Sequence, residues 1–241
     1  MSQFFNSSPS GFDDTLVPQS RNDAREQSRF ITGVFGWMTV GLCITGAVAL
    51  LLAQQPKLAM RVLHASLLIY IVQFGLLIGI SAGINRLSAG VVTLLFAAFS
   101  AAMGLTLSCI FLLYTRGSIE STFFICAATF GGMAFYGLVT KRDLTSIGHI
   151  AMMAIWGLMI AMIVSLFLHI SGLNLLINVA GVLIFVALTA FDTQRIKYMY
   201  LAGAPGSQEN HKDAIYGALR LYLDFINLFV FLLQFFGRQR D

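Results

Sequence analysis

The 241-residue chain carries 15 Lys and Arg against 11 Asp and Glu, so 11% of its residues are charged, whereas soluble domains carry about 25%. With 57% hydrophobic residues and a mean hydropathy of +0.80, it has too little charge to cover a folded surface in water, and much of that surface must face lipid. The net charge of +4 does not point to nucleic acid, because the longest basic run is Lys141-Arg142 and no stripe of Lys and Arg exists.

Residues 1–29 are rich in Ser, Asn and Gln, contain seven charges and show little apolar periodicity, which reads as a mobile tail ahead of a membrane domain over 30–241. The first apolar run begins at Phe30 and is long enough to span, so no cleaved signal peptide is expected. A helix crossing the bilayer needs about 20 residues with its backbone bonded internally. Uncharged stretches cover 30–56, 62–85, 87–115, 121–140 and 144–191. The last is too long for one crossing and divides at Ser171-Gly172-Leu173-Asn174. A further span runs from about Leu221 to Phe236, interrupted by Asp224. The sequence thus predicts an all-α membrane protein with seven transmembrane helices, and the absence of strand-like alternation excludes a β-barrel.

Orientation follows from Lys and Arg in the short connections. The N-terminal side holds nine: Arg21, Arg25, Arg29, Arg86, Lys141, Arg142, Arg195, Lys197 and Lys212. The opposite side holds five: Lys57, Arg61, Arg116, Arg238 and Arg240. A cytoplasmic N-terminus is therefore expected. Gly131-Gly132, Gly137, Gly90, Gly104 and the Ala-rich stretch 97–102 read as sites of close helix approach. Cys43, Cys109 and Cys126 lie in apolar runs without metal or disulfide spacing and read as buried, inert thiols. The four His residues show no metal-ligand spacing, and no cofactor is expected.

Two acids sit within or at the edge of spans, Asp192 ending the sixth and Asp224 entering the seventh. A carboxylate in such a place is costly and rarely idle. Helical spacing places Arg220, Asp224 and Asn227 on one face of the seventh span. Three residues past Leu221 is about 4–5 Å of helix rise, so the two acids can lie at similar heights and, if they face each other, titrate as a unit. Arg86, alone between two long uncharged runs on the same side, could neutralise the pair when no cation is bound. Proton, guanidinium and metal cation would then compete for the same oxygens. Two carboxylates offer at most four oxygens while calcium takes about 6–8, so weak, transit-type calcium binding is expected. Arg220 reads as an interfacial anchor, and Glu120 and Asp143 as solvated loop acids.

Several strings together give the chain a family resemblance: Leu221-Tyr222-Leu223-Asp224-Phe225-Ile226-Asn227-Leu228-Phe229, Phe191-Asp192-Thr193-Gln194, Thr140-Lys141-Arg142-Asp143-Leu144 and Gly36-Trp37-Met38-Thr39. In these it resembles the Bax-inhibitor family, also called the transmembrane Bax inhibitor motif or lifeguard family, in its bacterial branch. The resemblance covers everything after the tail. It implies a bundle of seven helices with the last one central and six around it, in a bacterial inner membrane, and a pH-sensitive calcium leak. It further implies that Asp192 and Asp224 act as the pH-sensing pair and that Arg86, matched by position, is the latch. Some relatives carry an acid in the second span, where this chain has Gln73.

Three functions compete on the sequence. A calcium leak leads, with calcium as the transported ion. A membrane-embedded regulator that binds another membrane protein, such as a quality-control protease, would use the tail for docking. An intramembrane aspartyl protease is disfavoured, because Asp224 follows Leu221-Tyr222-Leu223 rather than a Gly-x-Gly pattern. No enzyme activity is expected.

Overall fold

The computed structural model describes residues 21–83, 86–167, 172–202 and 207–239. Within them lie α1 (Arg21–Ala53), α2 (Pro56–His64), α3 (Ser66–Gly83), α4 (Ala89–Ser108), α5 (Ile110–Leu113), α6 (Arg116–Val139), α7 (Thr145–Phe167), α8 (Leu173–Ala202) and α9 (Ser207–Phe236). No strand forms among the described residues, and Tyr114 and Gln239 make an isolated bridge. Seven segments are long and apolar enough to cross a membrane: Ala24–Ala53, Ser66–Gly83, Ala89–Leu113, Arg116–Val139, Thr145–Phe167, Leu173–Met199 and His211–Phe236. The expected count of seven holds.

Several boundaries move. Part of the expected tail is helix, because α1 starts at Arg21. Gln27, Phe30, Val34 and Met38 are buried at helical spacing, which extends the packed face of the first span beyond its uncharged run. Residues 1–20 lie outside the described part. The expected second span is preceded by α2, whose Lys57, Arg61 and His64 recur at four- and three-residue intervals along one face. Leu58, Met60 and Leu63 of this helix are exposed, a pattern suited to lying in a membrane interface. The third span is interrupted at Cys109, where the backbone bonds three residues back to Thr106, and the short α5 follows. Gly172, in the segment where the long apolar run was expected to divide, has φ +87°, a left-handed conformation that favours glycine. Glu120 lies inside α6 and not in a loop.

The largest revision concerns the last span. Charges up to Arg220 placed its start near Leu221, but α9 begins at Ser207 and its apolar segment at His211. Asp224 is therefore 13 residues inside that segment, about 20 Å of helix rise, and not at its edge.

α9 is the most buried span, with 61% of its most apolar window covered against 11–39% for the others. Its main partners are α1, α4, α6 and α8, while α3 packs on α4 and α7 on α8. The last helix is central as expected, but four spans form its principal wall and two stand behind them. Aromatic side chains carry much of this packing: Tyr222 meets Phe96 and Phe99 of α4 edge-on, Phe225 meets Phe123 and Phe130 of α6, and Phe231 stacks on Phe185 of α8. Such ring pairs add about 0.5–1.5 kcal/mol each beyond the area they bury.

Small residues act where backbones meet. A side chain at Gly137 would collide with the carbonyl of Ala190 and with Thr193 of α8, and one at Gly104 with the backbone of Thr45 in α1. Gly131, Gly132 and Gly90 face open space and are not close-approach sites. The cysteines also separate: Cys126 is buried, Cys109 half-buried and Cys43 exposed. Replacing Gly137 by Ala is expected to destabilise the bundle by about 1–3 kcal/mol through overpacking. Gly131→Ala is expected to be neutral or to stabilise by up to about 1 kcal/mol through helix propensity. Thermal unfolding of the two variants in one detergent checks the contrast.

Candidate functional site

α8 and α9 bring together the two acids singled out in the sequence. Asp192 is 7% exposed and Asp224 5% exposed. Arg220, one turn before Asp224, places Nη1 3.6 Å from Oδ1 of Asp192, an ion-pair distance too long for a hydrogen bond. Oδ1 of Asp192 and Oδ2 of Asp224 are both buried without a hydrogen-bond partner. The charges that act on Asp224 are those of Asp192 and Arg220, so the three groups form one electrostatic cluster. Arg195, exposed on the next turn of α8, acts on Asp192 more weakly than Arg220 does.

The composition of the cluster has a chemical consequence. Two carboxylates against one guanidinium leave one negative charge unbalanced whenever both acids are ionised. In a low-dielectric interior an unpaired charge is costly, so a proton or a cation is needed to balance it. Arg220 itself is anchored beside the ring of Tyr216, with Cζ 5.9 Å from its centroid, a cation–π geometry.

Local sequence explains how Asp192 is held. Gly137 lets α6 approach one side of α8 at Ala190 and Thr193, and Gly148 lets α7 approach at the Phe191 ring. Just beyond, Gln194 acts as a clamp. Its Nε2 donates to the Arg142 carbonyl at 2.8 Å, and its Oε1 accepts from Leu144 N–H at 2.9 Å. One turn on, Lys197 Nζ donates to the Leu138 carbonyl at 3.0 Å, and the Lys197 carbonyl accepts from Gln27 Nε2 of α1 at 2.9 Å. Asp143 supports the same connection by accepting from the backbone N–H and hydroxyl of Thr145 at the start of α7. The hydroxyl and then the N–H of Thr145 hold its carboxyl below the usual aspartate range. The strings 140–144 and 191–194 are thus two halves of one junction.

The other residues read from the sequence are placed as follows. Arg86 is exposed in the turn between α3 and α4, and its side chain makes no ion pair or hydrogen bond among the described residues. Arg220, read as an interfacial anchor, is the guanidinium beside Asp192. Asn227 turns its amide back to the Leu223 carbonyl at 2.8 Å, a bond within its own helix. Among the described residues no group of three or more His, Cys, Asp and Glu could hold a metal ion.

Sequence reasoning missed a second polar cluster. The hydroxyl of fully buried Tyr222 lies 2.7 Å from Thr45 Oγ1 of α1, which also lies 2.9 Å from the Gly41 carbonyl and 2.8 Å from the Ser100 carbonyl of α4. A tyrosine and a threonine deep in spans were the available signal, since a buried hydroxyl needs a partner. Gln194 was quoted only as part of a string, although an amide beside a span end has the donors and acceptor to tie a loop.

Gln194→Ala is expected to lower stability by about 1–3 kcal/mol, because it leaves the buried Leu144 N–H unsatisfied. Gln194→Glu keeps an acceptor for that N–H but sets a buried carboxylate oxygen against the Arg142 carbonyl, and should lose more. Unfolding midpoints of both variants at neutral pH check the order.

The chain matches known proteins along nearly its whole length. The family described as "Inhibitor of apoptosis-promoting Bax1" (Bax1-I) matches residues 27–241. Inner membrane protein YbhL of Escherichia coli K12 is 43% identical over 236 residues, covering 91% of this chain and 98% of the relative. Proteins named only as uncharacterized are 40% identical over 228 residues in Borreliella burgdorferi, covering 93% of this chain and 98% of the relative, and 41% identical over 212 residues in Deinococcus radiodurans, covering 88% and 91%. With seven apolar spans and a match through every one of them, the chain belongs to the Bax-inhibitor family and is a multi-pass inner-membrane protein.

Proposed function

We propose that the protein is a pH-sensitive calcium leak of the inner membrane, in which Asp192 and Asp224 form the gate. The observation that carries this reading is the pair of buried carboxylates on adjacent central helices, each with an oxygen that lacks a hydrogen-bond partner, with the guanidinium of Arg220 paired to Asp192. Buried acids in spans of this kind mark ion or proton pathways. In the resting arrangement Arg220 occupies Asp192. A proton, Arg220 and a calcium ion compete for the same oxygens, and their balance sets passage.

The N-terminal face, where α8 ends and α9 begins, is the cytoplasmic one in this reading, as the Lys and Arg bias implies. Beyond Asp224 toward the opposite face, α9 buries Phe225, Leu228, Phe229 and Leu232. This apolar segment keeps water and ions out until helices part. Calcium requires about 6–8 oxygens, so water and backbone carbonyls complete its shell around the two acids, and binding is weak. Arg86 is assigned to the mouth of the pathway on the N-terminal face, and its role as latch requires the α3–α4 turn to swing toward Asp192. Leu221, Tyr222 and Phe225, the bulky neighbours of Asp224 in sequence, are buried among the helices, which favours transport over hydrolysis of a peptide.

Calcium flux into liposomes of purified protein, scanned over about pH 6 to 8, tests the reading. If one proton controls passage, parent flux changes by up to about tenfold per pH unit. Asp192→Asn and Asp224→Asn are each expected to flatten that profile, whereas Asp143→Asn, in the α6–α7 loop, should leave it intact. Arg220→Gln is expected to raise flux by removing the competing guanidinium, and Arg86→Gln to do so less. Unchanged pH profiles in both aspartate variants would remove the pair from the mechanism.

A further inference from the structure

Apart from the acid cluster, a cleft of about 730 Å³ lies between α1 and α6, with α5 at one end and α9 as its floor. That volume lies within the range of about 300–1,000 Å³ usual for small-molecule sites. Its walls are apolar. Leu42 and Gly46 come from α1, Phe123 from α6, and Phe225 and Phe229 from the floor. Leu50 and Phe124 stand at its edges, 46% and 72% exposed. Both belong to membrane spans, so the cleft opens sideways into hydrocarbon.

The polar end is equally defined. Arg116, the first residue of α6, lines the cleft at the face opposite the N-terminus, and Glu120 lies one turn further in. Neither forms an ion pair among the described residues. The chain end reaches the same corner through its backbone: Thr115 N–H donates to the Arg238 carbonyl at 3.1 Å, and the Arg238 backbone N–H donates to Ser118 Oγ at 2.9 Å. Arg116 in the lining and Arg238 in the adjoining chain end, against Glu120, give the corner a net positive charge over an apolar slot.

We propose that this cleft holds an acyl chain of an anionic phospholipid from the leaflet opposite the N-terminal face, with the phosphate at Arg116 and Arg238. The void lies in hydrocarbon, and dispersion favours filling it with chain. The rim charge selects an anionic headgroup, and Glu120 repels a phosphate that would slip deeper. The site is independent of the ion-passage reading, although its floor includes Phe225, next in sequence to Asp224. Gly46 provides a clean test, because a side chain there meets nothing within 4 Å and would project into free space.

The test uses full-length protein in bilayers of phosphatidylcholine doped with a phosphatidylglycerol or phosphatidylcholine bearing dibrominated chains. Two single-tryptophan forms report quenching: one with Phe123→Trp and both natural tryptophans replaced by Phe, the other retaining only Trp156 on the exposed face of α7. Quenching at position 123 should saturate with phosphatidylglycerol at a mole fraction at least fivefold lower than with phosphatidylcholine. Trp156 should show no such preference. Arg116→Gln should bring the two lipids together at position 123, and Gly46→Phe should abolish the saturable phase. If position 123 matches Trp156 with both lipids, the cleft holds only ordinary boundary lipid and the proposal fails. Native mass spectrometry of the unmodified protein gives a second readout that needs no variant. Retention of one phosphatidylglycerol supports the proposal, whereas no retained lipid, or a retained second copy of the chain in its place, overturns it.

Discussion

Two acids and one arginine inside a lipid-facing bundle set the constraint on which the rest of the architecture depends. Ion pairs buried away from water hold only when their geometry and their neighbours are controlled, since desolvation opposes the attraction. Here the pair stands 3.6 Å apart, and each acid keeps an oxygen without a hydrogen bond. A fully satisfied cluster would be a structural rivet. An incompletely satisfied one retains affinity for a further positive species, and the ion passage proposed above rests on that affinity.

The central position of α9 follows from how its faces are divided. Arg220 reaches Asp192 of α8, Tyr222 reaches Thr45 of α1 and the rings of α4, and Phe225 packs into α6. A helix with polar groups on more than one side cannot face lipid and is most stable when other helices surround it. The outer spans show the reverse. α7 exposes Met153, Trp156, Ile160 and Leu166 and approaches the bundle closely at Gly148.

The number of spans and the acid pair were legible in the sequence because both rest on composition, long uncharged runs and carboxylates placed among them. The depth of the pair was not. Uncharged runs end at the first charge, but helices continue through charges that have partners, and Arg220 is such a charge. Starting the last span at Leu221 therefore put Asp224 about 15 Å too near the surface and made Arg220 look like an anchor. The tail was misjudged for the same reason, since Gln27 has its partner 170 residues away in Lys197. The α1–α6 cleft was out of reach altogether, being a property of spacing between helices and not of any residue pattern.

The clamp and the ion pair restrict which motions can open the site. Gln194 ties the far end of α8 to the α6–α7 loop, Lys197 ties it to α6 and α1, and Gly137 and Gly148 seat α8 tightly between α6 and α7. Moving α8 would break several hydrogen bonds at about 1 kcal/mol each and disrupt two close interfaces. Swinging Arg220 away from Asp192 breaks one long ion pair and its contact with Tyr216. A conformational change follows the route that loses least, so in the proposed leak opening begins with the side chain of Arg220, with α8 as a fixed wall.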